Sequence, residues 1–165
     1  MEHGARGSAW HLRYGGHMSK ITSYTSKRGE VPCGDSNLYA FLTDMRNFRN
    51  VFPDGAITDW EATEDDCSFR IENTGRVKAS LTEALPHSAI TYNAETMLTG
   101  KISVQVEIEY ISKNRSSFCI TAGLSMNPLI RMLVRDSAGI YLDKIVDAIE
   151  AYGDFKSIRG CNQSP

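Results

Sequence analysis

Apolar and polar residues alternate strictly from Lys101 to Tyr110, and this alternation limits the possible folds more than any other feature of the chain. The apolar set is Ile102, Val104, Val106, Ile108 and Tyr110, and the polar set is Lys101, Ser103, Gln105, Glu107 and Glu109. Successive side chains of a strand point to opposite faces of a sheet. The segment therefore predicts a strand with one face covered by the protein and the other in water.

Similar segments precede and follow this strand, each bounded by turn residues. We predict strands at Ile57–Ala62, Cys67–Glu72, Val77–Ala84, Ala89–Met97, Ile102–Ile111 and Ser117–Met126. The connections are short, as in Asn73-Thr74-Gly75, and short connections join antiparallel neighbours. The Thr- and Ser-rich segment Lys20–Val31, which ends at Pro32, predicts a first strand. Together they predict a seven-stranded antiparallel sheet.

Helical patterns occur before and after this series of strands. Asn37–Thr43 and Met45–Phe52 predict two short helices, the second ended by the turn Pro53-Asp54-Gly55. After the last strand, Asn127-Pro128 supplies an N-cap and a proline at the first helical position. This start predicts one long helix that ends at about Tyr152, before Gly153.

The two halves of the long helix differ in the width of their apolar face. The C-terminal half has a narrow stripe, formed by Ala138, Leu142, Ile145, Ile149 and Tyr152. The N-terminal half is apolar over a broader arc, formed by Leu129, Ile130, Met132, Leu133 and Val134. A stripe is sufficient for packing on a sheet. The broader arc predicts that the first turns also line an enclosed space.

The size and charge of the chain exclude several classes of protein. Its 165 residues fit one domain, and a net charge of −2 with dispersed Lys and Arg gives no basic surface for nucleic acid. Neither a membrane-spanning segment nor a signal peptide pattern is present in the sequence. The four cysteines lie far apart, which favours reduced thiols and a cytoplasmic protein. We expect residues 1–17 to be a disordered leader, 18–153 the domain, and 154–165 a disordered tail.

The order of these elements and one local motif resemble the SRPBCC/START-like superfamily, which includes the birch pollen allergen, polyketide cyclases and steroidogenic lipid-transfer domains. The motif is the segment Asp35–Asp44, followed by Asn47-Phe48 and Phe52-Pro53. The Asn127-Pro128 start of the last helix is similar to that of a bacterial subgroup. The resemblance implies an α+β helix-grip fold, in which a curved sheet and two short helices enclose a cavity with the long C-terminal helix.

Residues able to perform catalysis are few in this sequence. Gly123-Leu124-Ser125-Met126-Asn127 resembles a hydrolase nucleophile motif, but its last glycine is replaced and no histidine follows it. His87 is the one histidine within residues 18–153, and it is either a general base at a cavity mouth or a loop residue in water. Arg131 and Arg135 lie one helical turn apart and either clamp an anionic ligand or face solvent. We predict no catalytic residue, no metal site and no cofactor.

The sequence thus favours a binder or carrier of a small hydrophobic molecule, held in a cavity between the sheet and the last helix. The predicted ligand-binding residues are Phe69, Ile71, Val77, Leu81, Tyr92, Val106, Tyr110, Phe118, Ile120, Leu129, Met132 and Leu133. The alternative is a polyketide cyclase- or dehydratase-like enzyme that uses Tyr92, Tyr110 or Arg131. A third possibility is an interaction module without ligand, which would have a filled core and an exposed apolar patch. For Tyr92 and Tyr110, the commoner role is that of a core residue with a satisfied hydroxyl.

Overall fold

The computed structural model describes residues 21–155 except 53, 98 and 126, and the eight strands of this part form one antiparallel sheet. The strands are β1 Ile21–Thr25, β2 Gly29–Val31, β3 Ile57–Ala62, β4 Asp66–Ile71, β5 Gly75–Leu85, β6 Ala89–Thr96, β7 Gly100–Ser112 and β8 Arg115–Ser125. Their order is β1-β8-β7-β6-β5-β4-β3, and β2 also pairs with β8. The predicted α+β fold class is confirmed. The predicted leader, residues 1–17, lies outside the described residues.

The predicted first strand, Lys20–Val31, is divided in the structure into β1 and β2 by Ser26, Lys27 and Arg28. Ser26 keeps contact with β8 because its hydroxyl accepts a hydrogen bond from the Ile120 N–H at 3.0 Å. The Lys27 N–H instead donates to the Asp143 carboxylate at 2.7 Å. This tertiary contact interrupts the ladder, and the alternation of residues could not predict it.

Four helical segments accompany the sheet: α1 Asp35–Leu42, a 3₁₀ helix Met45–Val51, α2 Pro128–Val134 and α3 Ala138–Ala151. The predicted N-cap of α2 is confirmed, since the Asn127 side chain accepts a hydrogen bond from the Ile130 N–H at 2.9 Å. Within the range that the structure describes, no helix has the length and apolar content needed to cross a membrane.

The prediction of one continuous helix from Pro128 to Tyr152 is wrong, because a turn at residues 135–137 separates α2 from α3. The Ser137 N–H donates to the Val134 carbonyl at 3.1 Å, a bond over three residues that ends α2. None of the residues of α2 is buried, so no packing holds it in line with α3. Gly139, a poor helix former, lies just after the turn.

Helix α3 packs on one edge of the sheet, against β1, β2 and β8, and buries Leu142, Val146 and Ile149. Gly29 of β2 makes the close approach possible. A Cβ atom at this glycine would lie 2.6 Å from the Phe118 ring and 2.7 Å from Val146 Cγ1. Since the Phe118 ring is fully buried, it has little room to move away.

Carboxylates of α3 hold the helix to the same edge of the sheet. Besides the contact between Asp143 and the Lys27 N–H, the Glu150 carboxylate accepts a hydrogen bond from the Glu30 N–H at 2.9 Å. Asp147 pairs with the Lys27 ammonium group. That ion pair is exposed and contributes little, whereas the backbone N–H groups gain partners that β8 does not supply.

The folded chain continues beyond the predicted boundary at Gly153. Phe155 is only 2% exposed, and its ring lies 5.2 Å from that of Phe41 and 5.0 Å from that of Tyr152. Phe155 is therefore part of the core and not of a disordered tail. Residues 156–165 of the predicted tail lie outside the described part of the chain.

The opposite edge of the sheet is irregular. The pairing of β3 with β4 shifts register between Thr58 and Glu61, and Asp59 lies in the left-handed region with φ of 53°. Such a bulge bends an edge strand and increases its local twist.

We expect Gly29→Ala to lower the free energy of unfolding by about 1–3 kcal/mol, because the new methyl group overpacks the contact between Phe118 and Val146. Urea unfolding followed by circular dichroism measures the change. Gly139→Ala is the matched control, since nothing lies within 4 Å of its Cβ position and alanine is a better helix former. An equal loss of stability in both variants would contradict the packing argument.

Candidate functional site

The inner face of the sheet, meaning the face that packs on the helices, is tightly covered at one end. Helix α1 packs there on β7 and β8, and the 3₁₀ helix contacts both α1 and α3. The largest fully buried side chains are Phe41, Phe118, Phe155, Leu38, Leu42 and Met45. This end of the molecule is a conventional apolar core.

Toward the other end of the strands, five apolar side chains of the inner face are only half-buried. We call this group the open end: Ala79 and Leu81 of β5, Ala94 of β6, and Ile102 and Val104 of β7. The register joins them in two rows, because Ala79 pairs with Ala94 and Ala94 with Ile102, while Leu81 and Val104 lie on either side of Tyr92. The open end is thus one continuous apolar strip across β5, β6 and β7.

Helix α2 begins beside the open end. Leu124 of β8 pairs with Ile102, and α2 starts four residues after Leu124. Three apolar side chains of α2 are exposed, Leu129 at 67%, Met132 at 69% and Leu133 at 70%. Their spacing of three and four residues places them on one side of the helix, and we call them the α2 stripe. A short stretch of chain thus connects the α2 stripe with the open end, while the half-buried residues of α2, Ile130, Arg131 and Val134, lie on the other side of the helix.

Tyr92 belongs to the core in this structure. Its hydroxyl donates a hydrogen bond to the Leu42 carbonyl at 2.5 Å, and its ring lies 5.3 Å from the ring of Phe48. Burial raises the pKa of Tyr92 well above its usual value. Of the two roles that the sequence left open for this residue, the core residue with a satisfied hydroxyl is the one observed.

Tyr24 is the functional candidate that the sequence analysis missed. It pairs with Ala122, and Ala122 pairs with Val104, so Tyr24 lies on the inner face in the same row as the open end. Its hydroxyl oxygen is buried but has no hydrogen-bond partner among the residues that the structure describes. The exposed Ser23 and Thr25 on either side of it were the signal, because they mark Tyr24 as an inward position of β1.

Comparison with known proteins finds similarity of structure without similarity of sequence. No family model matches the chain, and a search of curated proteins finds no match. Norcoclaurine synthase from Thalictrum flavum superposes with a TM-score of 0.63 at 9% identity, covering 79% of this chain and 92% of that one. A START superfamily protein from Mycobacterium smegmatis has a TM-score of 0.63 at 13% identity, with coverage of 79% and 94%.

The chain has a START-like helix-grip fold. A further neighbour, the di-domain ARO/CYC protein BexL of the BE-7585A biosynthetic pathway, has a TM-score of 0.62 at 11% identity, and the match covers 78% of this chain and 45% of that one. The fold that the resemblance implied is confirmed. At these identities the likeness concerns the fold alone, since one fold supports many functions.

The predicted ligand-binding residues fall into three groups by exposure. The buried group is Phe69, Val77, Tyr92, Val106, Phe118 and Ile120. The half-buried group is Ile71 and Leu81, and the exposed group is Tyr110 and the α2 stripe. The structure does not bring them together in one enclosed site. Leu81 belongs to the open end, and the α2 stripe lies on the helix that follows β8.

Tyr110 is 64% exposed, although the alternation predicted an inward position. The register of β7 with β8 shifts between Tyr110 and Ser112, next to the hairpin turn. Phe118 is inward but lies deep in the covered end, against Gly29 and α3. Both residues are therefore far along the sheet from the open end.

The candidate polar groups do not converge. His87 is exposed in the turn between β5 and β6, with φ of 62°, and its ring lies 5.4 Å from the ring of Tyr39. Arg131 is half-buried on α2, and the exposed Arg135 follows α2 and lies 3.6 Å from the Asp136 carboxylate. Of the two roles considered for His87, the loop position is observed.

A concavity of about 410 Å³ lies on the other side of the sheet, over β3, β4 and β5. Its lining includes Glu61, Asp66, Ser68, Lys78 and Ser80, whose side chains alternate with those of the core and so point away from it. None of the predicted ligand-binding residues lines this recess. The recess is also lined by Ala62, Cys67 and Ala79, the last of which belongs to the open end, so its lining is mixed polar and apolar. The predicted cavity between sheet and helix stays a prediction.

We expect Tyr92→Phe to destabilise the ligand-free protein by about 1–3 kcal/mol, because it leaves the Leu42 carbonyl buried without its donor. Urea unfolding measures the change. A stability equal to that of the wild type would show that this hydrogen bond contributes nothing.

We also expect the protein to lose stability above about pH 9. Burial raises the pKa of Cys67 to about 11 from the usual 9.0, and burial raises that of Tyr92 as well. The unfolded chain therefore releases these protons at a lower pH than the folded chain, so the stabilisation present below pH 9 is lost as the pH rises toward 11. Urea midpoints at pH 7, 9 and 10.5 test this, and Cys67→Ala should flatten part of the decline.

Proposed function

We propose that this chain binds or carries a small hydrophobic molecule at the open end of the sheet, between the inner face and helix α2. The observation that carries the proposal is the pair of apolar surfaces described above, the open end and the α2 stripe. Side chains of this kind are usually buried, and an exposed apolar patch beside a concave face is typical of a binding site. A ligand that covers both surfaces would remove them from water.

The energy available from such covering is sufficient for binding. Burial of apolar surface contributes about 25 cal/mol for each Å², or about 1.5–3 kcal/mol for a Leu, Ile or Met side chain that becomes fully buried. Partial burial of Ile102, Val104 and the α2 stripe would therefore supply several kcal/mol before the cost of association. The turn at residues 135–137 leaves α2 free of tight packing, so its position can adapt to the ligand.

The structural neighbours support a small-molecule ligand. One structure of norcoclaurine synthase from Thalictrum flavum contains dopamine and hydroxybenzaldehyde, and it superposes on this chain with a TM-score of 0.62 at 10% identity. That fold thus accommodates small aromatic molecules in another protein. For this chain we propose only that its ligand is similarly small and is hydrophobic. The cytoplasmic location that the sequence predicts is part of the same proposal.

The cyclase- or dehydratase-like alternative requires polar side chains at the site, and two of its three candidates, Tyr92 and Tyr110, are not placed to act on a ligand there. The Tyr92 hydroxyl is already bonded to the Leu42 carbonyl, and Tyr110 is exposed away from the open end. Arg131 alone of the three lies near the proposed site, on α2. Binding without catalysis is therefore the better supported function.

Ile102→Gln tests the proposal, because it places a polar amide in the middle of the open end. We expect the affinity for the apolar fluorescent dye 8-anilinonaphthalene-1-sulfonate to fall about 10-fold, the equivalent of about 1.4 kcal/mol of lost apolar contact. Ser103→Gln is the matched control, since this adjacent residue points to the other face of β7 and should not change the affinity. Near-ultraviolet circular dichroism confirms that both variants are folded.

Leu133→Gln on the α2 stripe extends the same measurement to the helix. A loss of dye affinity in this variant, as in Ile102→Gln, would place α2 against the ligand. Full affinity in both variants would refute a site between the sheet and α2. Native mass spectrometry of the protein from its own host then identifies the molecule that it carries.

A further inference from the structure

The buried hydroxyl of Tyr24 is destabilising, because no described residue forms a hydrogen bond with it. The large majority of buried side-chain polar atoms in proteins have a hydrogen-bond partner, and leaving one unsatisfied is destabilising. The oxygen of Tyr24 is buried and is the one such side-chain atom without a partner in the part of the chain that the structure describes. An unpaired group of this kind calls for a partner that binds from outside.

The position of Tyr24 connects this group with the proposed site. One row of the inner face runs across five strands through Leu81, Tyr92, Val104, Ala122 and Tyr24. Leu81 and Val104 belong to the open end, so Tyr24 lies two strands away from Val104 in the same row. Helix α3 packs on β1, and Tyr24 is partly buried against the core.

The two tyrosines of this row differ in whether their hydroxyl group has a hydrogen-bond partner among the described residues. Tyr92 satisfies its hydroxyl inside the protein, on the Leu42 carbonyl. Tyr24 does not, although it is on the same inner face. A structural role accounts for Tyr92, whereas at position 24 phenylalanine would pack equally well and would avoid the unpaired oxygen.

We infer that the Tyr24 hydroxyl donates a hydrogen bond to an oxygen atom of the bound molecule. The ligand class is then a hydrophobic molecule that carries a carbonyl or hydroxyl oxygen, and not a pure hydrocarbon. The phenol group suits this role because it can donate to either kind of oxygen. The apolar body of the ligand lies on the open end, and its oxygen reaches Tyr24. This inference rests on the proposed function, since it names the chemical class that the same site selects.

Tyr24→Phe tests the inference, with a pair of probes that differ only in a carbonyl group. The probes are 1-tetralone, which has a ketone oxygen, and tetralin, which lacks it; each is measured by displacement of 8-anilinonaphthalene-1-sulfonate. We expect Tyr24→Phe to weaken binding of 1-tetralone about 5–10-fold, the loss of one neutral hydrogen bond, and to leave binding of tetralin unchanged. Without ligand, Tyr24→Phe should be as stable as the wild type or more stable, in contrast to Tyr92→Phe.

Three results would overturn the inference while leaving the proposed function intact. Tyr24→Phe could bind 1-tetralone as tightly as the wild type does. It could lose affinity equally for both probes, which would indicate a change of packing. It could also be destabilised without ligand as much as Tyr92→Phe, which would show that the hydroxyl has a partner in the free protein. If the wild type binds neither probe nor the dye, the proposed function itself fails, and the inference with it.

Discussion

The close contact of helix α3 with the sheet at Gly29 is the constraint on which the other features depend. With no side chain at this position, the Phe118 ring and Val146 meet over the backbone of β2. The carboxylates of Asp143 and Glu150 can reach backbone N–H groups of the edge strand only because the helix lies so near. A larger residue would push the helix outward and separate both kinds of contact together.

This contact also explains why the inner face of the sheet is tightly packed at one end and partly uncovered at the other. Helix α3 is fixed by packing and hydrogen bonds along its length, and Phe155 adds a buried ring after its end. Helix α2 has no buried residue and is separated from α3 by a turn, so it does not share that support. The covered end is therefore a stable core, while the apolar side chains of the open end stay only half-buried. Local stability of this uneven kind is common where ligands bind.

The sequence predicted the features that depend on local pattern, and it failed where distant contacts decide. Alternation was sufficient for the strands from β3 to β8, and the Asn127-Pro128 start was sufficient for α2. The division of the first strand depends on Asp143, which lies more than a hundred residues away. The candidate site could be predicted less well. Leu81 and the α2 stripe keep apolar surface exposed and stay predicted ligand-binding residues, whereas Phe118 and Tyr92 are buried in the core. Tyr24 was missed because an unpaired hydroxyl can be recognised only when its surroundings are known.

The carboxylates that hold α3 to the sheet have a second consequence, which concerns association between molecules. An uncovered edge strand offers a row of unpaired N–H and C=O groups to which another chain can add. On the edge formed by β1 and β2, the N–H groups of Lys27 and Glu30 are already occupied by side chains of α3. On the opposite edge, the bulge in β3 at Asp59 disturbs the regular spacing that a new strand would need. Both margins of the sheet are thus protected against the addition of a strand from another molecule, although the inner face between them keeps apolar surface partly exposed.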